Sequence, residues 1–340
     1  MTYEPDLSLM QLHGDIDLPI DVVDLAVNVR ESTPPAWLVA ALADVDLAKY
    51  PNSEAARSAI AVRHGRGPAE VLPTAGAAEA FVLLARAFTP RHAVVVHPQF
   101  TEPELALHAA GHEVHRVVLE PPFELDPSAV PADADFVLIG NPTNPTSVFH
   151  PADVLRQLAR PGRVLVVDEA FADCVPGEPE SLAAQGDLPG VVVVRSLTKT
   201  WGLAGVRAGY VIAAPDIIER LATAQPHWSV SSLALAACVA CSSAQARAEA
   251  DVWANELAAR RAYLLGELRQ LPGVQVVDGA SASFVLVDTG QPEVWNPLRA
   301  KGFAVRRGDT FPGLGPTWIR IAVRDEATST ALAIALKGCL

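Results

Sequence analysis

Four short runs of uninterrupted apolar, mostly β-branched residues constrain the fold of this chain more than any other feature. The runs lie at 93–96, 136–139, 164–167 and 191–194. A strand that helices cover on both faces has this continuous apolar pattern, whereas a strand with one solvated face alternates. Helical patterns lie at 77–88, 104–110 and 152–159, and a further strand is predicted at 208–213. This alternation predicts right-handed crossovers and a mainly parallel sheet between helices.

The pattern changes in the C-terminal third of the chain. Residues 230–271 predict one long or broken helix, which ends at a Leu-Pro-Gly turn. Short strands are then predicted at 274–277, 283–287, 303–305 and 318–323, with helices near 292–300 and 326–336. We therefore predict an α/β protein with a large domain at 45–235. A smaller α+β domain is predicted from 1–44 and 236–340.

Composition narrows the class of protein. The chain has 340 residues, half of them hydrophobic, and a formal net charge of −13. Such a chain can bury a large core, and its acidity argues against a nucleic-acid or anionic-membrane partner. The N-terminus does not have the pattern of a secretory signal, and no run approaches the roughly 18 apolar residues of a membrane span. We expect a cytoplasmic protein.

Polar or aromatic residues follow each of the four apolar runs. They are, in chain order, Phe100, Asn144, Asp168 and Lys199. Ligands of open α/β sheets bind beyond the carboxyl ends of the strands, so we expect these side chains to share a site. An aromatic ring can stack on a planar ligand, Asn can donate a hydrogen bond, and Asp can pair with a protonated ring nitrogen. Lys supplies an amine that forms a Schiff base with an aldehyde.

A phosphate site is predicted beside this set. Residues 74–79 (TAGAAE) open a helix with small side chains, so free backbone N–H groups and the helix dipole can hold a phosphate. Hydroxyl and guanidinium contacts are available from Ser196, Thr198 and Arg207. A planar, phosphorylated pyridine aldehyde satisfies every requirement, and that ligand is pyridoxal phosphate.

Several motifs occur in a specific order along the chain. They are KYPN (49–52), GAAE (76–79), NPTNPTS (141–147), DEAF (168–171), SLTKTWGLAGVRAGY (196–210) and WIRIAVR (318–324). With these motifs the chain resembles the fold-type-I, class I/II aminotransferases, in the branch of histidinol-phosphate aminotransferase and threonine-phosphate decarboxylase. The resemblance runs from about residue 13 to the end. It implies a pyridoxal-phosphate enzyme, a small amino-acid or amino-phosphate substrate, and a homodimer with shared active sites.

The resemblance also implies a role for each matching residue. Lys199 is expected to hold the cofactor as a Schiff base and to move the proton at the substrate Cα. Asp168 is expected to pair with the pyridinium nitrogen. Further cofactor contacts are implied for Gly76, Ala77, Phe100, Asn144, Phe171, Ser196, Thr198, Arg207 and, from the neighbouring subunit, Tyr50. Substrate contacts are implied for Arg320 and Asn28, with His13 as a candidate for a substrate phosphate. Arg306, in a basic pair with Arg307 ahead of Phe311, is a second candidate that the local sequence offers.

The chain departs from the family pattern at three positions. Phe171 replaces a tyrosine, Ser147 replaces a glycine, and Arg30 stands where a second Asn is usual. The segments 13–15, 98–107 and 311–324, together with the DEAF motif, resemble threonine-phosphate decarboxylases. The predicted function is therefore decarboxylation of an O-phosphorylated amino acid, as in cobalamin biosynthesis, through a Schiff base between substrate and cofactor.

Two alternatives remain open, and two classes of site are not supported. The first alternative is an aminotransferase of the histidinol-phosphate type, which moves an amino group to an oxo acid. The second is a non-catalytic binding protein, although Lys199 and Asp168 are both present. No G-x-G-x-x-G follows the first strand, which argues against a dinucleotide enzyme. No metal site is predicted, because no Cys or carboxylate completes the set His108, His112 and His115.

Overall fold

The computed structural model describes residues 4, 6–12 and 22–340, and within them the strands form a seven-stranded and a five-stranded sheet. The larger sheet contains β2 (Val71–Thr74), β3 (Ala93–His97), β4 (Val114–Val118), β5 (Phe136–Gly140), β6 (Val164–Asp168), β7 (Val191–Ser196) and β8 (Gly209–Ala213). Their order is β2-β8-β7-β6-β5-β3-β4. Strand β8 is antiparallel to β2 and β7, and the pairs from β7 to β4 are parallel. The predicted mainly parallel sheet is confirmed, and the four apolar runs form its adjacent central strands.

Helices cover both faces of the larger sheet. The helices of this part of the chain are α1 (Leu7–Met10), α2 (Ala36–Ala43), α3 (Glu54–His64), α4 (Gly76–Ala87), α5 (Glu102–Ala109), α6 (Ala152–Leu158), α7 (Thr198–Trp201), α8 (Pro215–Ala224) and α9 (Ser232–Cys241). Alternate strand side chains enter two apolar clusters: Val137 belongs to the cluster that contains residues of α3, α6 and α9, and Leu138 to the one that contains residues of α4, α5 and α8. This two-sided burial is the physical reason for the continuous apolar runs.

The smaller sheet contains one strand from the N-terminal part of the chain and four from the C-terminal part. It contains β1 (Val23–Leu25), β9 (Gln275–Val276), β10 (Phe284–Asp288), β11 (Phe303–Arg307) and β12 (Trp318–Ala322). The order is β1-β11-β12-β10-β9, with β1 parallel to β11 and the other pairs antiparallel. The accompanying helices are α10 (Ala244–Arg269), α11 (Trp295–Ala300) and α12 (Glu326–Lys337), and they share one apolar cluster with the strands.

The long helical pattern at 230–271 is broken into α9 and α10. The Ser243 hydroxyl accepts a hydrogen bond from Ala246 N at 3.1 Å and caps the start of α10. Helices α2 and α9 both pack into a cluster of the larger sheet. The same cluster also contains Ala246 and Ala250 of α10, and the predicted domain boundaries at 44 and 235 stay a prediction. Among the described residues, no helix combines the length and the apolarity that crossing a membrane requires.

Candidate active site

A cavity of about 430 Å³ lies between the two sheets, where β5, β6 and β7 end. This volume is in the range of small-molecule sites. The residues predicted from the sequence that line it are Asn28, Ala77, Phe100, Asn144, Asp168, Phe171, Ser196, Thr198, Lys199, Arg207, Arg306 and Arg320. The expected convergence of the strand ends on one site is therefore observed.

Lys199 lies in α7, the single helical turn that follows β7. Its Nζ is 5.7 Å from the centre of the Phe171 ring. Burial lowers the pKa of Lys199 to about 8, and the positive charges of Arg320 and Arg207 act in the same direction. A lysine with this pKa has a substantial neutral fraction near neutral pH, and the neutral amine is the nucleophile.

Asp168 is the last residue of β6 and is paired in register with Gly140 of β5. Its Oδ1 accepts a hydrogen bond from Ala170 N at 3.1 Å. Burial, with a smaller contribution from the negative charge of Glu169, raises the pKa of Asp168 to about 7. A cation in the cavity would favour the ionised carboxylate, so the site is suited to a protonated ring nitrogen.

Arg320 reaches the cavity from β12. Its Nη1 donates to Asn144 Oδ1 at 2.5 Å, and its Nη2 donates to the carbonyl of Ala26. With the Asn28 amide oxygen facing the guanidinium, that oxygen accepts from Nη1 at 3.1 Å and from Nε at 3.3 Å. Burial lowers the pKa of Arg320 well below its usual value, and the charge of Arg306 contributes. A buried guanidinium of this kind fits a carboxylate ligand.

Arg306 lies beside Arg320, because the two residues are direct partners across β11 and β12. Its Nη2 donates to the carbonyl of Leu12, and its guanidinium lies 5.0 Å from the centre of the Phe311 ring. Arg306 is buried and lines the cavity. The cavity therefore has two neighbouring cations on its small-sheet wall.

The start of α4 forms the opposite, phosphate-like subsite. Gly76 has a φ of +75°, and a Cβ at this position would lie 3.0 Å from Arg207 Nη2. Glycine thus allows the Arg207 guanidinium to lie against the first turn of α4, whose backbone N–H groups have no partner within the helix. Ser196 Oγ accepts from Thr198 N at 3.2 Å, and both residues line the cavity. These donors and the helix dipole suit a phosphate.

Two predicted positions do not line the cavity of this chain, and a third lies outside the described residues. Gly76 contributes only through its contact with Arg207. Tyr50 is 78% exposed and stacks on Trp228, with ring centres 4.5 Å apart. His13 lies outside the described residues.

Arg30, whose role the sequence left open, is directed toward α10. Its Nη1 lies 3.4 Å from Glu249 Oε1, and its guanidinium lies 4.7 Å from the Trp253 ring. The Arg30 N–H donates to the Lys199 carbonyl at 2.9 Å. Arg30 therefore supports the turn that carries Lys199 and does not line the main cavity.

Several residues that line the cavity were not predicted from the positions that follow the apolar runs. Gln99 and Glu102 line the cavity on either side of Phe100, so the position after the first apolar run contained a signal for them. Phe311 comes from the loop after β11, and no local pattern identified it as part of a site.

Comparisons with known proteins agree with this geometry. The family described as aminotransferase class I and II matches residues 20–336. A histidinol-phosphate aminotransferase of Mycobacterium tuberculosis is 51% identical over 97% of this chain and 91% of its own length. A threonine-phosphate decarboxylase of Salmonella typhimurium is 30% identical over 95% and 92%. The structure of histidinol-phosphate aminotransferase from Sinorhizobium meliloti, in complex with pyridoxal-5'-phosphate, has a TM-score of 0.82 at 22% identity, covering 93% of this chain and 89% of its own.

The chain belongs to the class I and II aminotransferases, a family of pyridoxal-phosphate-dependent enzymes. The predicted fold type, enzyme class and cofactor are thereby confirmed. The residues present also fit the cofactor. Asp168 offers a buried carboxyl group for a ring nitrogen, Lys199 an amine of lowered pKa for an aldehyde, and the start of α4 with Arg207 a site for a phosphate.

Proposed function

We propose that the protein is an aminotransferase of the histidinol-phosphate type, which exchanges an amino group between an amino phosphate and an oxo acid. The observation that carries this choice is the 51% identity to relatives with that name over 97% of the chain. Threonine-phosphate decarboxylation, the function predicted from the sequence, is supported by more distant relatives. The decarboxylases that match most of the chain are 30% identical to it or less. The alternative prediction is thus the better supported one.

The two arginines of the small-sheet wall suit the proposed pair of substrates. An amino phosphate such as histidinol phosphate has a phosphate and no carboxylate, whereas an oxo acid such as 2-oxoglutarate has carboxylates. Arg320, with its planar fork of donors, is assigned to the carboxylate. Arg306 lies next to it and is assigned to the second anionic group of either substrate.

The remaining roles are those that the family resemblance implies, and the placement of these residues around the cavity supports them. The bound cofactor supplies an aldehyde that links to amines and a ring that accepts electron density. Lys199 Nζ takes the proton from the substrate Cα and returns it, which its pKa of about 8 favours. Asp168 keeps the proton on the ring nitrogen, Asn144 binds the ring's phenolic oxygen, and Phe100 stacks on the ring. The α4 turn and Arg207 orient the phosphate.

We also propose a homodimer in which Tyr50 contributes to the neighbouring subunit's site. Tyr50 and Trp228 are 78% and 62% exposed, and Leu47 is 74% exposed. Clustered exposed apolar side chains mark interaction surfaces. Sedimentation equilibrium of the holoprotein checks the proposal, and a monomer at micromolar concentration would contradict it.

Product analysis by mass spectrometry tests the proposed reaction. Holoprotein is given histidinol phosphate with 2-oxoglutarate, and in a second tube O-phosphothreonine without an acceptor. We expect glutamate to form in the first tube and no aminopropanol phosphate in the second. Aminopropanol phosphate formed without an acceptor would overturn the proposal in favour of decarboxylation.

Arg320→Ala is expected to damage the oxo-acid half of the reaction selectively. Removal of charge-assisted hydrogen bonds to a carboxylate should raise the KM for 2-oxoglutarate about 10- to 100-fold. The half-reaction with histidinol phosphate, which has no carboxylate, should lose less, and only through the higher pKa of Lys199 once the Arg320 charge is removed. Stopped-flow absorbance of each half-reaction measures both effects. An equal loss in the two half-reactions would argue against the carboxylate assignment.

A further inference from the structure

Ser147 adopts a backbone conformation that favours glycine. It lies in the loop after β5, has a φ of +65° and is fully buried. A serine is strained in the left-handed region, so a compensating interaction of its side chain is expected.

The side chain of Ser147 makes that interaction with the segment that enters β10. Its Oγ accepts hydrogen bonds from Ser281 N at 3.1 Å and from Ala282 N at 2.8 Å. Its carbonyl oxygen accepts from Ser281 N and from Ser281 Oγ, both at 2.8 Å. Val148 and Ala280 add an antiparallel bridge. The loop that carries Asn144 is therefore hydrogen-bonded to the segment that leads into β10 of the smaller sheet.

The same loop and the same sheet meet a second time inside the cavity. Arg320, which pairs with Leu286 across β10 and β12, donates to Asn144 Oδ1 at 2.5 Å. Asn144 precedes Ser147 by three residues. One contact lies at the cavity wall and the other behind it, so together they set the distance between Asn144 and Arg320.

We propose that Ser147 is a positioning residue that fixes the carboxylate site by holding the Asn144 loop against β10. The inference rests on the proposed use of Arg320 for a substrate carboxylate. A carboxylate that takes two donors of the Arg320 guanidinium competes with Asn144 Oδ1 and with the Ala26 carbonyl for them. Once the Arg320–Asn144 hydrogen bond is given up, the contacts of Ser147 with Ser281 and Ala282, together with the Val148–Ala280 bridge, hold the Asn144 loop against the segment that enters β10.

Ser147→Gly tests this role, because glycine keeps the backbone conformation without strain and removes only the hydroxymethyl group. The matched control is Ser32→Gly, since Ser32 also has a positive φ, of +56°, and is exposed. The dissociation constant of 2-oxoglutarate is measured with the pyridoxamine-phosphate form of the enzyme and that of histidinol phosphate with the pyridoxal-phosphate form, each from the substrate dependence of its half-reaction in stopped-flow absorbance. Hydrogen exchange of segment 280–284 is measured by mass spectrometry.

For Ser147→Gly we expect the dissociation constant of 2-oxoglutarate to rise about fivefold, an effect of the size of one net hydrogen bond. Affinity for histidinol phosphate should stay within about twofold of the wild type, because that ligand does not compete for Arg320 through a carboxylate. Exchange of the Ala282 amide should become faster, and Ser32→Gly should resemble the wild type in every measurement.

Faster exchange in segment 280–284 with unchanged 2-oxoglutarate affinity would show a merely structural contact and would overturn the role inferred for Ser147. Equal weakening of both ligands would overturn it as well. Wild-type holoenzyme is measured alongside. Absence of 2-oxoglutarate binding there would overturn the proposed function together with this inference, whereas normal wild-type binding separates the two.

Discussion

Lys199→Ala is expected to lower kcat by about 10⁴-fold or more, while the protein still binds pyridoxal phosphate through the α4 turn and Arg207. Among the described residues, Lys199 is the lysine that lines the cavity. Its pKa of about 8 makes it both a nucleophile and a proton carrier near neutral pH. Alanine removes both roles. Single-turnover absorbance measurements with saturating amino donor check the loss, because they isolate the proton transfer from product release.

The control for this substitution is Lys337→Ala, which removes an exposed lysine near the end of α12 and should leave kcat unchanged. Cofactor binding is followed separately by equilibrium dialysis. If Lys199→Ala kept more than about a tenth of the wild-type rate, another group would have to move the Cα proton, and the role assigned to Lys199 would be wrong.

The core of the larger sheet was predictable because its signal is local. Strands β3, β5, β6 and β7 are buried on both faces, so their consecutive residues are apolar. The missed strands β2 and β4 are the edges of the sheet. The apolar pattern of β4 (VHRVV) is interrupted by His115 and Arg116, and β2 contains Pro73, which an edge strand tolerates. Edge strands have weaker apolar patterns because one of their sides has no partner strand.

The site was predictable from local pattern where a residue follows an apolar run or where small residues open a helix. Asp168 and Lys199 were identified in this way because parallel strands end at the same edge of the sheet. Arg320 was identified through the family resemblance, since its place opposite Asn144 depends on a contact between residues 176 positions apart. The contacts of Ser147 with Ser281 span 134 positions. Long-range contacts of this kind leave no periodic trace in the sequence.

Asp168→Asn is expected to have opposite effects on the cofactor-free protein and on the holoprotein. The folded-state pKa of Asp168 is about 7, above the ordinary value of 3.8, so the folded chain binds this proton more tightly than the unfolded chain. The carboxyl group therefore lowers the free energy of unfolding as pH rises from about 4 to 7, by about 1.4 kcal/mol for each pH unit at most. Above pH 7 the loss is complete.

In the cofactor-free protein at pH 8, Asp168→Asn should thus raise the free energy of unfolding by about 2–4 kcal/mol. At pH 4 it should have little effect, because the carboxyl group is then mostly protonated in the folded state. In the holoprotein the neutral amide cannot pair with a protonated ring nitrogen, so the dissociation constant of pyridoxal phosphate should rise about 100-fold or more. Urea unfolding at the two pH values and fluorescence titration with the cofactor measure the two effects.

A loss of stability in the cofactor-free variant at pH 8 would mean that a cationic group of the protein itself already stabilises the Asp168 carboxylate. The carboxylate would then not depend on the cofactor for its counter-charge, and its assignment to the ring nitrogen would lose its physical basis.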